Sequence, residues 1–207
     1  MAKQDNAMLK AAFLVENGFC ERELVQTQNA LRAIDIDCRI ISSEKNAIKS
    51  WNENKVARGS HWGLSYAVDK SLDTALASDY DILVIPGGKR SINKLKLESN
   101  VRSFISFFFT AKKPVITYNQ GADLLGFLGL LSGYSVAAKD QVCDTMSDAG
   151  GRCAASEFVV SGNLISLSRF RDVEHKIQDA VKAIVAGEKY EETVVSTFDV
   201  PPSHKAA

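Results

Sequence analysis

Cysteine is scarce in this chain, and none of it falls at metal-ligand spacing. Cys20, Cys38, Cys143 and Cys153 form no Cys-x-x-Cys pair and no cysteine–histidine cluster, which excludes the common structural zinc sites. Such scatter reads as reduced, mostly buried thiols in a cytoplasmic protein. Long apolar runs are missing too. No stretch approaches the roughly 20 residues that a membrane helix needs. The opening MAKQDNAMLK has no apolar segment of the signal-peptide kind. Neither sign of charge is in excess, because 25 acidic and 25 basic residues cancel. The electrostatics therefore favour neither nucleic acid nor an anionic membrane as a partner. Internal repeats and low-complexity linkers are also absent.

What is present is the material of an ordinary folded domain. Of 207 residues, 45% are hydrophobic and 24% charged, enough for a substantial core without staples. Short buried strands alternate with amphipathic helices. Ala11 to Val15 reads as a strand ending at Asn17-Gly18. Leu24, Ala30, Leu31 and Ile34 then recur at helical spacing. Cys38 to Ser42 is a second strand, and residues 47–75 read as a strand or hairpin excursion broken by polar turns. YDILVIPGG is the clearest strand, stopped by Pro86-Gly87-Gly88. SNVRSFISFFFTAKK is a helix with Ser99 or Asn100 as candidate N-cap. PVITY is a strand and GADLLGFLGLLSG the helix after it. FVVSGNLISLS reads as a hairpin about Ser161-Gly162-Asn163, and RDVEHKIQDAVKAIVAG as a final helix ended by Gly187. The expected class is α/β, a parallel sheet sandwiched by helices. Residues 1–188 form one domain in this reading, and 189–207 a polar, extended tail with Pro201-Pro202.

In such sheets ligands sit beyond the carboxyl ends of the strands. Three loops qualify: Glu16 to Glu23, Pro86 to Ile92, and Tyr118 to Gly121. Those loops, in that order, resemble the ThiJ/PfpI family of the class I glutamine amidotransferase-like superfamily. The resemblance is carried by ENGFCERELVQTQNAL, by HWGLSYAVDKSLDTALASDYDILVIPGG and by KKPVITYNQGADLL. LLSGYSVAAKDQVCDTMSDAGG and FVVSGNLIS extend it, so that it spans roughly residues 10 to 187. It implies a flavodoxin-like fold with a thiol at a strained strand-to-helix elbow, a glutamate beside it, and backbone N–H groups that stabilise an oxyanion.

Carried over by residue, Glu23 matches the glutamate, Gly87-Gly88 the Gly-Gly turn and Gly121 the elbow glycine. Asn119 and Gln120 stand where the family has Cys-His. Ile92 stands at a position that carries a carboxylate in some members, and Ser168-Arg169 is displaced by one residue. A carboxamide has no accessible anionic form, so nucleophilic catalysis at 119 loses its basis. The implied site is a relict one: no confident catalytic residue, and a ligand-binding set of Glu23, Gly87, Gly88, Asn119, Gln120, Gly121 and His61. No metal and no cofactor is called for. The expected function is non-catalytic binding, regulation or a stress-related role by a cytoplasmic homo-oligomeric pseudoenzyme, with a small anion as candidate ligand. The alternative is a hydrolase-, glyoxalase- or deglycase-like enzyme using Glu23 with a water, or Cys20 as substitute thiol. Glu21 and Arg22 are expected to face solvent. Trp62 and Tyr66 are pocket or core residues, and Phe107 to Phe109 make an apolar band wide enough for a subunit interface.

Overall fold

The computed structural model describes residues 8–52, 61–137, 150–154, 156–168 and 173–190. β1 (Lys10–Leu14), β2 (Asp37–Ser42), β5 (Lys70–Ser71), β6 (Ile82–Ile85), β7 (Val115–Tyr118), β10 (Phe158–Ser161) and β11 (Leu164–Leu167) form one sheet in the order β10-β11-β7-β6-β1-β2-β5. Every pairing in it is parallel except the β10–β11 hairpin at one edge. The expected α/β class is therefore the one observed, with a flavodoxin-like, mostly parallel sheet.

The strands read as unbroken apolar runs because both faces are covered. Alternation then sorts each run. Ala11 and Phe13 of β1, Ile82 and Val84 of β6, and Ile116 and Tyr118 of β7 face one core. That core is closed by α1 (Glu21–Arg32) and α5 (Glu174–Val185). Ala12, Leu14, Leu83, Ile85 and Val115 face the opposite core, closed by α2 (Lys89–Leu95), α3 (Val101–Thr110) and α4 (Gln120–Phe127). A second hairpin, β3 (Ala47–Trp51) with β4 (Trp62–Ala67), stands apart from the sheet. It is tied to the loop after β1, where Gly18 N–H donates to the Lys49 carbonyl at 2.8 Å and Trp51 N–H to the Phe19 carbonyl at 3.0 Å.

Several local expectations change. The short helix α2 has too few residues to show a period, and sequence reading passes over it. So it does over the two-strand parallel pair β8 (Ser135–Ala137) with β9 (Arg152–Ala154). Asn100 precedes α3, but neither it nor Ser99 caps that helix with its side chain. α4 stops at Phe127, short of the apolar run that follows it, where Gly129 takes a φ of 69°. The Phe107–Phe109 band is largely absorbed. Phe108 is fully buried, Phe107 packs edge-on against it, and Phe109 meets the Tyr134 ring. The large apolar side chains that remain exposed lie elsewhere, among them Trp62 and Leu64 on β4. The expectation of four reduced thiols also needs correcting. Cys20 and Cys38 are free, but Cys153 is disulfide-bonded. Cys143, His204, Arg169 and the tail beyond Tyr190 lie outside the described residues. No helix among the described residues is long and apolar enough to cross a membrane.

Candidate functional site

Parallel strands end together, so β1, β6 and β7 deliver three loops to one edge of the sheet. Cys20 N–H donates to the Gly87 carbonyl at 2.8 Å, which joins the first loop to the second. Gly88 has φ 113°, a conformation that L side chains avoid. A Cβ there would also lie 2.5 Å from the Gly18 carbonyl oxygen. The turn thus needs glycine for two independent reasons. The third loop is a single residue. Asn119, at φ 38° and ψ −105°, sits between β7 and α4, and its N–H donates to the Leu167 carbonyl at 3.0 Å. Backbone this unusual for a non-glycine residue persists only when its surroundings hold it. Gly121 lets α4 begin close against the sheet: a Cβ would come within 2.3 Å of Thr117 Oγ1 and 2.6 Å of the Ile85 carbonyl oxygen. Its role in the predicted set is this close packing.

Glu23 lies on the first turn of α1 and is 9% exposed. Its carboxylate accepts Gly87 N–H at 2.6 Å and the Asn119 Nδ2 amide at 3.4 Å. The second contact is longer than the usual 2.7–3.2 Å range. Burial pushes the Glu23 carboxyl up, against the opposing pull of the Gly87 N–H, the Asn119 amide and the Cys20 thiol. Beneath it, the Thr27 hydroxyl meets the Tyr118 hydroxyl at 2.5 Å and donates to the Glu23 carbonyl at 2.6 Å. This buried pair holds the first turn of α1 to the end of β7. Sequence reading misses it, because the two residues are 91 positions apart and neither carries a motif.

Cys20 is the half-buried residue just before α1. Burial first, then the Glu23 charge, pushes its thiol up to about 11. The N–H groups of Glu23 and Arg22 work against that shift without reversing it. A thiol so placed is protonated at neutral pH and is a poor nucleophile.

The turn N–H groups expected to be open to an anion are already engaged. Glu23 holds that of Gly87, and the Gln120 side-chain oxygen accepts that of Gly88 at 3.4 Å. Asn119 Oδ1 is buried and has no hydrogen-bond partner among the described residues. His61 does not join this group. Its ring stacks on Trp51, 4.9 Å between centroids, and its Nδ1 lies 3.0 Å from the Asn52 carbonyl oxygen. The Arg90 guanidinium, two residues beyond Gly88, lies 3.9 Å from the centre of the same Trp51 ring. These contacts hold His61 against the β3–β4 hairpin. Arg22 is exposed as expected. Glu21 is not: it is half-buried and accepts from the Ser50 hydroxyl at 2.6 Å and the Tyr66 hydroxyl at 2.9 Å. Trp62 is exposed, and Ile92 is a buried core residue of α2. Among the described residues, no three His, Cys, Asp or Glu side chains gather as a metal site.

Comparison with known proteins shows the family. A deglycase of Pyrococcus furiosus, PfpI, is 30% identical over 176 residues, 85% of this chain and 99% of the relative. General stress protein 18 of Bacillus subtilis is 28% identical over 79% of this chain and 90% of its own. Drosophila melanogaster DJ-1beta superposes with a TM-score of 0.70 at 20% identity, over 88% of this chain and 99% of that one. A two-domain protein of Anabaena variabilis, with DJ-1/ThiJ/PfpI-like and ferritin-like domains, superposes with a TM-score of 0.74 at 24% identity. The match covers 91% of this chain and about half of that longer protein (52%). The DJ-1/PfpI family model matches residues 9–183, and the chain belongs to that family.

Proposed function

We propose that this protein is a non-catalytic member of its family, a pseudoenzyme that binds a small polar molecule at the elbow and serves a regulatory or stress-related role. One observation carries the reading. The elbow keeps its strained backbone, but its side chain is an asparagine amide directed at Glu23. By the resemblance, that is the position of the reactive thiol. The relatives named deglycases supply the competing reading, an enzyme acting through Cys20 or through Glu23 and a water. Glu23 favours it in one respect, since a buried carboxyl pushed upward can serve as a general acid. Cys20 does not, because its thiol is pushed up to about 11.

Two measurements test this. Methylglyoxal and methylglyoxal-modified peptides are expected to turn over at the background rate, with no sensitivity to iodoacetamide. A rate well above background would overturn the proposal. Its loss in Cys20→Ala or in Glu23→Gln would then identify the group responsible. We also expect a homo-oligomer, now motivated by the exposed Trp62 and Leu64 rather than by the phenylalanine band. Light scattering at micromolar concentration should give at least twice the 22.6 kDa chain mass. A monomer mass would contradict it.

A further inference from the structure

We propose that a cavity at the opposite end of the strands from the elbow binds a small aromatic carboxylate. β7 and β11 run parallel, so the residues that precede them lie together, one strand length from Asn119. Asn163 is there in the turn of the β10–β11 hairpin, and Lys112 in the turn before β7. Together with the end of α5 they enclose a cavity of about 480 Å³, well within the size range of small-molecule sites. One wall is set by a saturated hydrogen-bond network. Tyr134 donates its hydroxyl to Asn163 Oδ1 at 3.0 Å. The buried Asn163 amide in turn donates to the Lys113 carbonyl at 2.7 Å and the Phe108 carbonyl at 3.2 Å. Phe109 packs edge-on against the Tyr134 ring, 5.3 Å between centroids. Gly162, at φ 57°, lets that ring close on the hairpin, since a Cβ there would lie 3.3 Å from Tyr134 Cε1. The ring is thus fixed before a ligand arrives, which spares the ligand the cost of ordering it.

Three features select the ligand. The first is an apolar lining of the Tyr134 and Tyr190 rings with Val160 and Ile184. Such a surface suits an aromatic body, because ring edges and faces pack favourably on one another. The second is charge. Lys112 and Lys189 bring two ammonium groups to the lining, and Glu188 one carboxylate. None of the three forms an ion pair among the described residues. Burial pushes the Tyr134 hydroxyl up, so it stays neutral. The lining is left one charge positive, the complement of a single carboxylate. The third is the backbone of Lys112. It stands just past the end of α3 at φ 53°, where glycine is the usual occupant. Lys112 N–H donates to the Phe109 carbonyl at 3.2 Å and Lys113 N–H to the Phe108 carbonyl at 2.9 Å, which holds the turn. A lysine kept in a glycine conformation thereby has its stem fixed at the cavity. The end of α5 does not oppose an anion there. Gly187 N–H and Glu188 N–H turn back to the Ile184 and Ala183 carbonyls at 3.0 and 2.8 Å, so those acceptors are already served. The site shares no residue with the elbow and goes beyond the binding reading above.

Phenylacetate and phenethylamine, which share the ring and differ in the sign of their charge, test this when titrated into the uniformly 15N-labelled full chain and followed by NMR. Phenylacetate is expected to move the backbone amides of Gly162 and Gly187, which line the cavity, and to leave that of Gly88 at the elbow in place. Phenethylamine should bind more weakly. Lys112→Met and Lys189→Met should each weaken phenylacetate about two- to fivefold, the worth of a partly exposed ion pair. Glu188→Gln should strengthen it by a similar factor, an outcome that no folding defect produces. Equal affinity for the two ligands, or unchanged phenylacetate affinity in both lysine variants, would overturn the selection of an anion. No movement of Gly162 and Gly187 at millimolar phenylacetate, or movement of Gly88 alone, would overturn the site. None of these outcomes touches turnover at the elbow, which the methylglyoxal assay decides separately.

Discussion

Asn119→Cys is expected to create a fast-reacting thiol in a chain that otherwise has none at the site. Residue 119 is held at φ 38° immediately before α4, with its side chain beside Glu23. A thiolate there sees the N-terminal end of a helix, which favours negative charge. It also sees a carboxyl that burial pushes upward. In its neutral form that carboxyl donates an O–H to the sulfur, which lowers the thiol pKa further. Elbow thiols of this kind fall at or below about 7.5. Cys20, pushed up to about 11, has on the order of one thiolate in 10⁴ molecules at pH 7. The lower-pKa sulfur is intrinsically the weaker nucleophile, which recovers part of that difference for Cys20. The net expectation is alkylation by iodoacetamide on the order of 100-fold faster in Asn119→Cys than in the parent at pH 7. The pH profile is the sharper readout. The rate should level off below pH 8.5, the value of an unperturbed cysteine. A midpoint at 8.5 or above would mean that the elbow geometry no longer acts on its side chain.

Lys94→Met is expected to cost about 3 kcal/mol of stability. Glu16, at the end of β1, is completely buried. One carboxylate oxygen accepts the Ser42 hydroxyl at 2.9 Å and Ser43 N–H at 2.6 Å. The other lies 3.0 Å from Lys94 Nζ, which also reaches Glu44. No other group serves that second oxygen among the described residues. Methionine keeps the apolar stem and removes the charge, leaving a buried carboxylate without its counter-ion. Breaking a buried pair in this way costs about 3–5 kcal/mol. Lys94 is 37% exposed, so water can approach, and the low end applies. A loss of about 3 kcal/mol lowers Tm by roughly 6–12 °C in a chain of this size. Adding Glu16→Gln should recover part of the loss, because the stranded charge is then gone. A Tm within 2 °C of the parent would show that Lys94 is dispensable to Glu16. The pair also matters to the site. It anchors α2, which follows directly on the Gly-Gly turn, to the end of β1.

Periodicity made the sheet legible. Unbroken runs such as ILVI and VITY can be buried on both faces only in a parallel sheet covered by helices, and such a sheet points its loops to one edge. Glu23, Gly87, Gly88 and Asn119 were therefore readable as neighbours before any contact was known. Glycine was legible at Gly88 for the same local reason, because a tight turn after a strand demands a backbone that other residues resist. Element ends were less legible. α2 is only seven residues long, and β8 and β9 three each, too short for any period to show.

By itself, then, the sequence determined the fold class, the edge of the sheet that carries the candidate site, and the carboxamide side chain at residue 119. These follow from local patterns and from side-chain chemistry that no packing can alter. Only the tertiary structure decided which hydrogen-bonding groups around the elbow are paired. Gln120 covers Gly88, Asn119 Oδ1 is stranded, and His61 turns to Trp51. It also turned Glu21 toward Ser50 and Tyr66 and placed Cys153 in a disulfide. Such outcomes depend on side-chain rotamers and on pairs far apart in the chain, as with the 96 positions that separate Asn119 from Glu23. Spacing along a sequence carries no record of which of several donors reaches a given acceptor first, because burial and backbone geometry make that choice once the strands have paired.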